Sequence, residues 1–320
     1  MKVLITGISG FIGQALAKKL LSLSTYDVTG TTRSLANRNN NSENIRYVNI
    51  SDITSTTNWN DALTDIDIVV HLAARAHILK HDPDAESKFR AVNFDGALNL
   101  AQQALEAKVK RFIFISSIGV NGSYTVHAPF DEQSTPSPTT AYGISKYDAE
   151  QALHHLVEKN RGMELVIIRP PLVYAAHAPG NFQRLLKLVA SGIPLPFGLI
   201  KNQRSIIALE NLIDFIILCT HHPAAANELF LISDTGDVST VDIAKHVAEG
   251  MGKKSVLLPV PVVLIRAGVS LIGKQALYSQ LCESLTIDCT KALNLLDWKP
   301  VTNSQTALQE AGRTYKSSSR

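Results

Sequence analysis

Cysteine is scarce in this chain of 320 residues, and the three present, Cys219, Cys282 and Cys289, have the spacing neither of metal ligands nor of a disulfide framework. The sequence therefore predicts no metal site and no disulfide-stapled fold. We expect a reducing, cytoplasmic environment. Because the chain opens directly on a strand pattern, we also expect no signal peptide.

A strong charge of either sign is lacking, since 31 basic residues against 28 acidic ones give a net charge of +3. So small an excess argues against nucleic acid as a partner. A hydrophobic run long enough for a transmembrane segment is lacking as well. The most apolar segment, Val256 to Gly273, is short and contains Pro259, Pro261 and Arg266. It predicts a buried or interfacial helix, and contact with a membrane surface remains an alternative.

Glycine is concentrated near the N-terminus, where it follows the short apolar run Lys2–Thr6, which suits a buried parallel strand. A Gly-xx-Gly-xx-Gly turn comes next, and a helical pattern begins after it. Such a turn lets the backbone approach a pyrophosphate, and the helix N-terminus offers free N–H groups and the positive end of a dipole. The pattern predicts a dinucleotide site at Gly7, Gly10, Phe11, Ile12 and Gly13.

The end of the second predicted strand bears on the choice of dinucleotide. An acidic residue there favours NAD, whereas a nearby arginine accommodates the 2′-phosphate of NADP. Thr32 stands where the acid is expected, and Arg33 and Ser34 follow. The sequence therefore predicts NAD or NADP with a preference for NADP; the alternative is that Arg33 stacks on adenine or is merely solvated. Asp52 and Ile53, after the third strand, are candidates for contact with adenine, although Asp52 could equally cap a helix.

Strand and helix patterns alternate through the first half of the chain, which predicts βαβ units and a parallel sheet. We expect an α/β fold with a Rossmann-type doubly wound sheet over residues 1–172. A smaller mixed α/β lobe that binds substrate is expected over 173–320, with chain segments free to cross between the lobes. One long helix is predicted around 85–107, and the polar stretch 38–44 is predicted to be a loop beside the adenosine end.

Tyr142 and Lys146 lie four residues apart in a segment patterned as a helix, so they share one helical face. A lysine cation near a phenol favours the phenolate, and we expect Lys146 to lower the pKa of Tyr142. Such a tyrosine exchanges a proton with a substrate hydroxyl near neutral pH. The pair also occurs by chance on exposed helices, so other motifs must support this interpretation.

Those motifs occur in the order found in one family. The glycine turn is followed by His71-Leu72-Ala73-Ala74, by Asn93, by Ser116-Ser117 and by Tyr142-Gly143-Ile144-Ser145-Lys146. This series resembles the extended short-chain dehydrogenase/reductases. It is most similar to the UDP-glucose 4-epimerase-like nucleotide-sugar enzymes of bacterial polysaccharide gene clusters, a branch that includes 4-ketoreductases of UDP-N-acetyl-6-deoxyhexoses.

The resemblance implies a role for each matching residue. Tyr142 matches the catalytic acid/base, Lys146 the lysine that binds the nicotinamide ribose, and Ser117 the hydroxyl that orients the sugar oxygen. Asn93 matches a structural residue that bridges strand and helix. The implied cofactor contacts in the first lobe are Leu72, Ala73, Ala74, Tyr142 and Lys146.

In the second lobe, the resemblance implies that Asn181, Phe182 and Arg204 bind the UDP part of the substrate; an arginine suits a diphosphate because its planar fork donates two bonds. Two departures from the epimerases stand out. Thr32 and Arg33 replace the acidic residue that favours NAD, and the late Arg-x-Gly-Asp pattern is missing.

The resemblance implies a UDP-hexose or UDP-N-acetylhexosamine 4-epimerase that acts through a 4-keto sugar. One alternative is an NADPH-dependent 4-ketoreductase of a UDP-4-keto-6-deoxy-N-acetylhexosamine, which uses the same residues. A second is a non-catalytic dinucleotide sensor on the same fold. A homodimer through the helix around 85–107 and the helix of Tyr142 is also expected.

Overall fold

The computed structural model describes residues 1–34, 44–76, 84–271 and 275–318, with the side chains of 275–277 left out of the description. The predicted loop at 38–44 lies outside the described residues, except for Asn44.

A seven-stranded parallel sheet forms the centre of the molecule, in the order β3-β2-β1-β4-β5-β6-β9, and two further strands, β7 and β8, form a small parallel pair. The strand order reverses between β1 and β4, and ligands of such sheets bind at the carboxyl ends of the strands around this point. The strands are β1 (Lys2–Thr6), β2 (Asp27–Thr32), β3 (Ile45–Asn49), β4 (Ile68–His71), β5 (Arg111–Ile115), β6 (Glu164–Arg169), β7 (Leu172–Tyr174), β8 (Ile206–Ala208) and β9 (Leu229–Leu231).

Helices cover both faces of the sheet because alternate strand residues point to opposite sides. Val3 and Ile5 of β1 pack with the α1 and α7 side, whereas Leu4 packs with the α4 and α5 side. The described helices are α1 (Phe11–Ser22), α2 (Asn60–Leu63), α3 (Ala85–Arg90), α4 (Gly96–Glu106), α5 (Ala141–Lys159), α6 (Asn181–Ser191), α7 (Leu209–His221), α8 (Thr240–Gly250), α9 (Val262–Leu271), α10 (Gln275–Cys282), α11 (Thr290–Leu295) and α12 (Ser304–Ser318).

The helix predicted around 85–107 is confirmed, since the chain is helical without a break from Ala85 to Glu106. A π-helical turn, Ala91–Asp95, lies within it between α3 and α4. Such turns insert an extra residue into a helix and are frequent at functional sites. The turn carries the fully buried side chain of Asn93.

The predicted boundary at residue 172 does not divide the chain in space. β9 is the seventh strand of the main sheet, and α7 packs in the same core as α1. The second lobe has its own core around β8, α6, α8 and α12. The crossing allowed for in the sequence analysis therefore occurs over residues 209–231.

Of the two predictions for the apolar segment from Val256 onward, a buried or an interfacial helix, the buried one is wrong. α9 contains no buried residue, and Val263 and Leu264 are 76% and 62% exposed. No helix among the described residues is long and apolar enough to cross a membrane.

A buried ion pair fastens α5 to the sheet. Arg169, at the end of β6, donates to Glu150 of α5 through Nε to Oε1 at 3.0 Å and Nη2 to Oε2 at 2.5 Å. Its Nη1 donates to Asn121 Oδ1 at 3.0 Å. All three side chains are at most 4% exposed. A bidentate pair in this geometry fixes both the height and the rotation of the helix on the sheet.

Removing one member of this pair leaves an uncompensated buried charge. We expect Glu150→Ala to lower the free energy of unfolding by about 3–5 kcal/mol. The double variant Glu150→Met/Arg169→Met should lose less, because it buries no lone charge. Urea titration followed by circular dichroism measures both. Glu158→Ala, an exposed carboxylate of the same helix, is the control; an equal effect of Glu150→Ala and Glu158→Ala would contradict the prediction.

Candidate active site

The glycine turn between β1 and α1 is shaped by close backbone contacts. Gly7 has φ +70°, and a Cβ there would lie 3.0 Å from the backbone of Ala73. A Cβ on Gly13 would lie 2.3 Å from the Gly7 carbonyl oxygen. Gly10 is the N-cap of α1 and has no side chain to accept from the first N–H groups of the helix, so no capping side chain occupies them. This is a backbone cradle that only glycine permits and that an anion fits.

A cavity of about 490 Å³ opens beside this turn at the carboxyl edge of the sheet. Of the predicted cofactor residues, its lining includes Gly7, Gly10, Arg33, Asp52, Ile53, Leu72, Ala73 and Ala74. Sequence reasoning missed Ser9, Thr31, Thr32, Ile50, Ser51, Arg75, Ala76 and Val92. Most of the missed residues are immediate neighbours of predicted ones. Their position in the sequence, next to a predicted contact, is the signal that could have identified them.

Two arginines line the end of the cavity that β2 and β4 contribute. Arg33 is exposed and follows Thr32, whose hydroxyl donates to the Ser34 carbonyl at 3.1 Å. Ser34, predicted as a contact, is thereby held in the turn and is not part of the lining. Arg75 follows the Leu72–Ala74 stretch.

Phe11 and Ile12 lie on α1, and Phe11 packs edge-on against His177 of the second lobe at 5.1 Å.

α5 carries the tyrosine–lysine pair and approaches the sheet edge closely. Thr140 caps it by accepting a hydrogen bond from Gly143 N at 3.0 Å. A Cβ on Gly143 would lie 2.7 Å from the Gly119 carbonyl oxygen. Glycine at 143 therefore brings the first turn of α5, with Tyr142, against the turn that follows Ser117.

Asn93 links this helix to the rim of the cavity. Its side chain donates to Ser145 Oγ at 3.0 Å and to the Arg75 carbonyl at 3.0 Å, and it accepts from Arg75 N at 2.8 Å. These contacts connect the π-helical turn, the loop after β4 and α5. They agree with the bridging role that the resemblance implied.

Lys146 is almost fully buried, at 1% exposure. Its Nζ donates to the Ile115 carbonyl at 2.8 Å and lies 4.3 Å from the centre of the Phe114 ring. Burial lowers the pKa of this lysine to about 7, and the Glu150 carboxylate opposes that shift. The ammonium therefore titrates near neutral pH, where a small change in its surroundings decides its charge.

Tyr142 is half-buried, and its ring meets Phe89 edge-on at 6.0 Å. Burial raises the pKa of this phenol to about 12. This is opposite to the lowering expected from the sequence, because burial disfavours the phenolate and Lys146 directs its ammonium to the Ile115 carbonyl. Within the described residues, no group hydrogen-bonds the Tyr142 hydroxyl.

Ser117 lies two residues after β5 and caps the short turn Ile118–Val120, and its Oγ accepts a hydrogen bond from Gly119 N at 3.1 Å. The hydroxyl proton remains available to a ligand. Ser116 points inward instead, and its buried Oγ has no partner among the described residues.

The second-lobe residues are placed differently from one another. Asn181 is exposed at the start of α6 and pairs with Gln280 and Arg184. Arg204 is half-buried and donates to the Glu283 carbonyl at 3.1 Å, and burial lowers its pKa. Phe182 is 2% exposed and packs on Tyr174, so its side chain belongs to the lobe's core. That position corrects the prediction of Phe182 as a substrate contact.

A larger groove of about 1160 Å³ lies at the opposite, amino-terminal end of the strands. Its lining includes Met1, Asp67, Lys110 and Glu164 and, among the residues described, none of the predicted site residues. Most of the predicted cofactor residues thus line the smaller cavity at the carboxyl edge, whereas Ser117, Tyr142, Lys146, Asn181 and Arg204 are not part of its lining.

Comparison with known proteins agrees with this geometry. The profile of the NAD dependent epimerase/dehydratase family matches residues 3–233, a span that holds the glycine turn, Ser117, Tyr142 and Lys146. The chain belongs to this family.

Two relatives and a solved structure show how far the similarity to this epimerase/dehydratase family extends. The UDP-glucose 4-epimerase of Vibrio cholerae is 39% identical over 98% of this chain and 95% of its own. The N-acetyl-alpha-D-glucosaminyl-diphospho-ditrans,octacis-undecaprenol 4-epimerase of Escherichia coli O157:H7 is 28% identical over 81% of this chain and 76% of its own. The UDP-glucuronic acid 4-epimerase of Bacillus cereus, solved with NAD, superimposes with a TM-score of 0.79 at 24% identity, covering 99% of each chain.

The buried lysine makes stability depend on pH in a defined direction. Its pKa is 10.5 when exposed and about 7 in the folded chain. Between these values the unfolded chain binds the proton and the folded chain does not, so stability rises with pH by up to about 1.4 kcal/mol per unit. We expect Lys146→Met to lose this rise. Urea midpoints from pH 7 to 10, without added dinucleotide, measure it.

The control is Lys159→Met, at the exposed end of α5, which should keep the pH dependence of the unaltered protein. A Lys146→Met protein with the same slope as the unaltered protein would show that Lys146 remains protonated when buried.

Proposed function

We propose that the chain is a nucleotide-sugar 4-epimerase that acts on a UDP-linked hexose or N-acetylhexosamine with NAD or NADP as cofactor. One observation carries the proposal: Lys146 donates to the Ile115 carbonyl at the carboxyl end of β5, two residues before Ser117, and Asn93 ties the helix of Tyr142 and Lys146 to Arg75, which lines the cavity at the glycine turn. This arrangement occurs in a chain that aligns along almost its whole length with a UDP-glucose 4-epimerase.

The chain has the features that a dinucleotide requires. Gly7, Gly10 and Gly13 form a tightly packed turn in which a Cβ would lie 3.1 Å or less from the backbone of Gly7 or Ala73, and such a turn lets the backbone approach a pyrophosphate. Asp52 and Ile53 line the cavity for the adenosine part, and Lys146 is the candidate for the nicotinamide ribose. When bound, the nicotinamide supplies reversible hydride transfer at the sugar C4.

Tyr142 handles the proton of the sugar O4. As the phenol, the form favoured by a pKa of about 12, it donates to the oxygen of a 4-keto sugar. As the phenolate, it accepts the O4 proton of the alcohol. The phenolate requires a nearby positive charge, and protonated Lys146, one helical turn away, supplies it. Ser117 orients the same oxygen through its free hydroxyl proton.

The diphosphate of the substrate requires donors in the second lobe. Arg204 and Asn181 both contact α10 or the residue just after it, through Glu283 and Gln280 respectively. We place the diphosphate against these two side chains, since a guanidinium and an amide both donate to phosphate oxygens.

Product analysis by NMR tests the reaction. UDP-glucose and UDP-N-acetylglucosamine, incubated with the purified protein and catalytic dinucleotide, should yield the C4 epimers without net change in NAD(P)H. Stoichiometric consumption of NADPH with a 4-keto sugar nucleotide, and no epimer from any UDP-sugar, would instead identify a 4-ketoreductase.

Tyr142→Phe tests the proton carrier. It removes one hydroxyl from a half-buried ring, so the protein should fold and bind dinucleotide as before while turnover falls by about 10²–10⁴. Tyr147→Phe, on the same helix, is the matched control. Unchanged turnover in Tyr142→Phe would refute the role of the phenol and favour a dinucleotide sensor.

The arginine at the end of β2 tests cofactor preference. We propose that Arg33 and the uncharged Thr32 favour NADP, because a guanidinium pairs with the 2′-phosphate. Arg33→Ala should weaken NADP binding by about tenfold and leave NAD binding unchanged, as measured by calorimetry. A loss equal for both dinucleotides would mean that Arg33 stacks on adenine. Arg46→Ala, an exposed arginine of β3, is the control.

The proposal includes a homodimer, formed through α3, α4 and α5, and a cytoplasmic location. Arg90 of α3 and Asp148 of α5 pair at 3.5 Å and hold the two helices in one surface. Light scattering of the full chain, with a protomer mass of 34.8 kDa, distinguishes dimer from monomer.

A further inference from the structure

The second lobe exposes an unusual amount of apolar side chain. The exposed large apolar residues on two neighbouring segments, which we call the apolar surface, are Leu188, Ile193, Leu199, Val256, Leu258, Val263, Leu264 and Leu271. α9 turns only Val262 and Ile265 toward the lobe's core. A helix this apolar is ordinarily buried, and large exposed patches mark interaction sites.

The two segments lie side by side. Leu195 N donates to the Val256 carbonyl and Leu258 N to the Leu195 carbonyl, both at 2.8 Å. A Cβ on Gly198 would lie 2.9 Å from the Leu258 carbonyl oxygen. The turn at 195–198 therefore lies against residues 256–258, and this contact joins the two segments in the second lobe.

The charge of this region has one sign. The chain has 28 acidic residues, yet none lies between Glu164 and Glu210 or between Glu249 and Glu283. Lys187, Lys201, Lys254 and Arg266 are exposed on these stretches. In the described part of the chain, no carboxylate is paired with any of these four cations.

Apolar side chains flanked by unpaired cations, without any anion, fit the surface of an anionic lipid bilayer. The described helices are too short or too polar to span it, so the contact is with the interface. A second copy of the chain fits less well, because a twofold contact would place the same cations against one another.

The surface also adjoins the site of the proposed function. α10 follows α9, and its Gln280 accepts from Asn181, while the Arg204 guanidinium donates to the Ser279 carbonyl at 3.4 Å. We propose that the apolar surface docks the protein onto anionic membranes, with the diphosphate-binding end of the second lobe facing the headgroups.

Vesicle co-sedimentation of the full chain tests this. Vesicles of phosphatidylglycerol and phosphatidylcholine should retain about tenfold more protein than pure phosphatidylcholine, and added salt should reduce the difference by screening. Val263→Glu/Leu264→Glu should abolish the binding. The matched control, Val126→Glu/Val301→Glu, alters side chains that are 72% and 60% exposed elsewhere and should bind as the unaltered protein does.

Two results would overturn the proposal. One is equal retention on both kinds of vesicle. The other is a combination of two observations: the unaltered protein does not bind vesicles, and Val263→Glu/Leu264→Glu converts a dimer to a monomer in light scattering. That result would assign the apolar surface to contact with a second copy of the chain. Turnover of soluble UDP-sugar, measured without vesicles, tests the proposed function separately, and neither pair of substitutions should change it.

Discussion

The buried pair between Arg169 and Glu150 is the constraint on which the candidate site depends. It joins the last residue of β6 to the middle of α5, and through Asn121 it reaches the turn that begins at Ser117. The strand, the helix and the turn are thus fixed at one point by side-chain hydrogen bonds. Tyr142 and Lys146 lie two turns and one turn before Glu150 on the same helix, so their height above the sheet follows from this contact.

The same carboxylate also affects the electrostatics of the site, because its charge partly offsets the lowering of the Lys146 pKa by burial. Both carboxylate oxygens of Glu150 accept hydrogen bonds from Arg169. Lys146, one helical turn away, interacts with the charge of Glu150, which raises the lysine pKa. Burial lowers the pKa of Lys146 and the Glu150 carboxylate, which Arg169 also contacts, raises it, so the pKa stays at about 7. A pKa near neutrality suits the role proposed for Lys146, in which its cation helps the Tyr142 phenol to lose its proton.

The site belongs to two lobes that differ in how they are built. The first lobe lines its cavity largely with backbone and small side chains, which allow the backbone N–H groups to come close to a pyrophosphate. The second presents long polar side chains, Arg204 and Asn181, that rest on α10, and its outer side is apolar and basic. Contacts such as Phe11 with His177 join the lobes beside the glycine turn.

Local pattern determined much of this protein. The strand Lys2–Thr6 begins and ends where the sequence predicted, because a short apolar run that ends at a glycine turn has few other solutions. The glycine turn and the Tyr142–Lys146 spacing located the cradle and α5 for the same local reason. Tertiary structure alone decided the rest. The π-helical turn at Asn93, the return of residues 209–231 to the main sheet, the burial of Phe182, the exposure of α9 and the raised pKa of Tyr142 all depend on neighbours distant in sequence. Burial and electrostatic shifts are sums over such neighbours, and a one-dimensional pattern does not contain them.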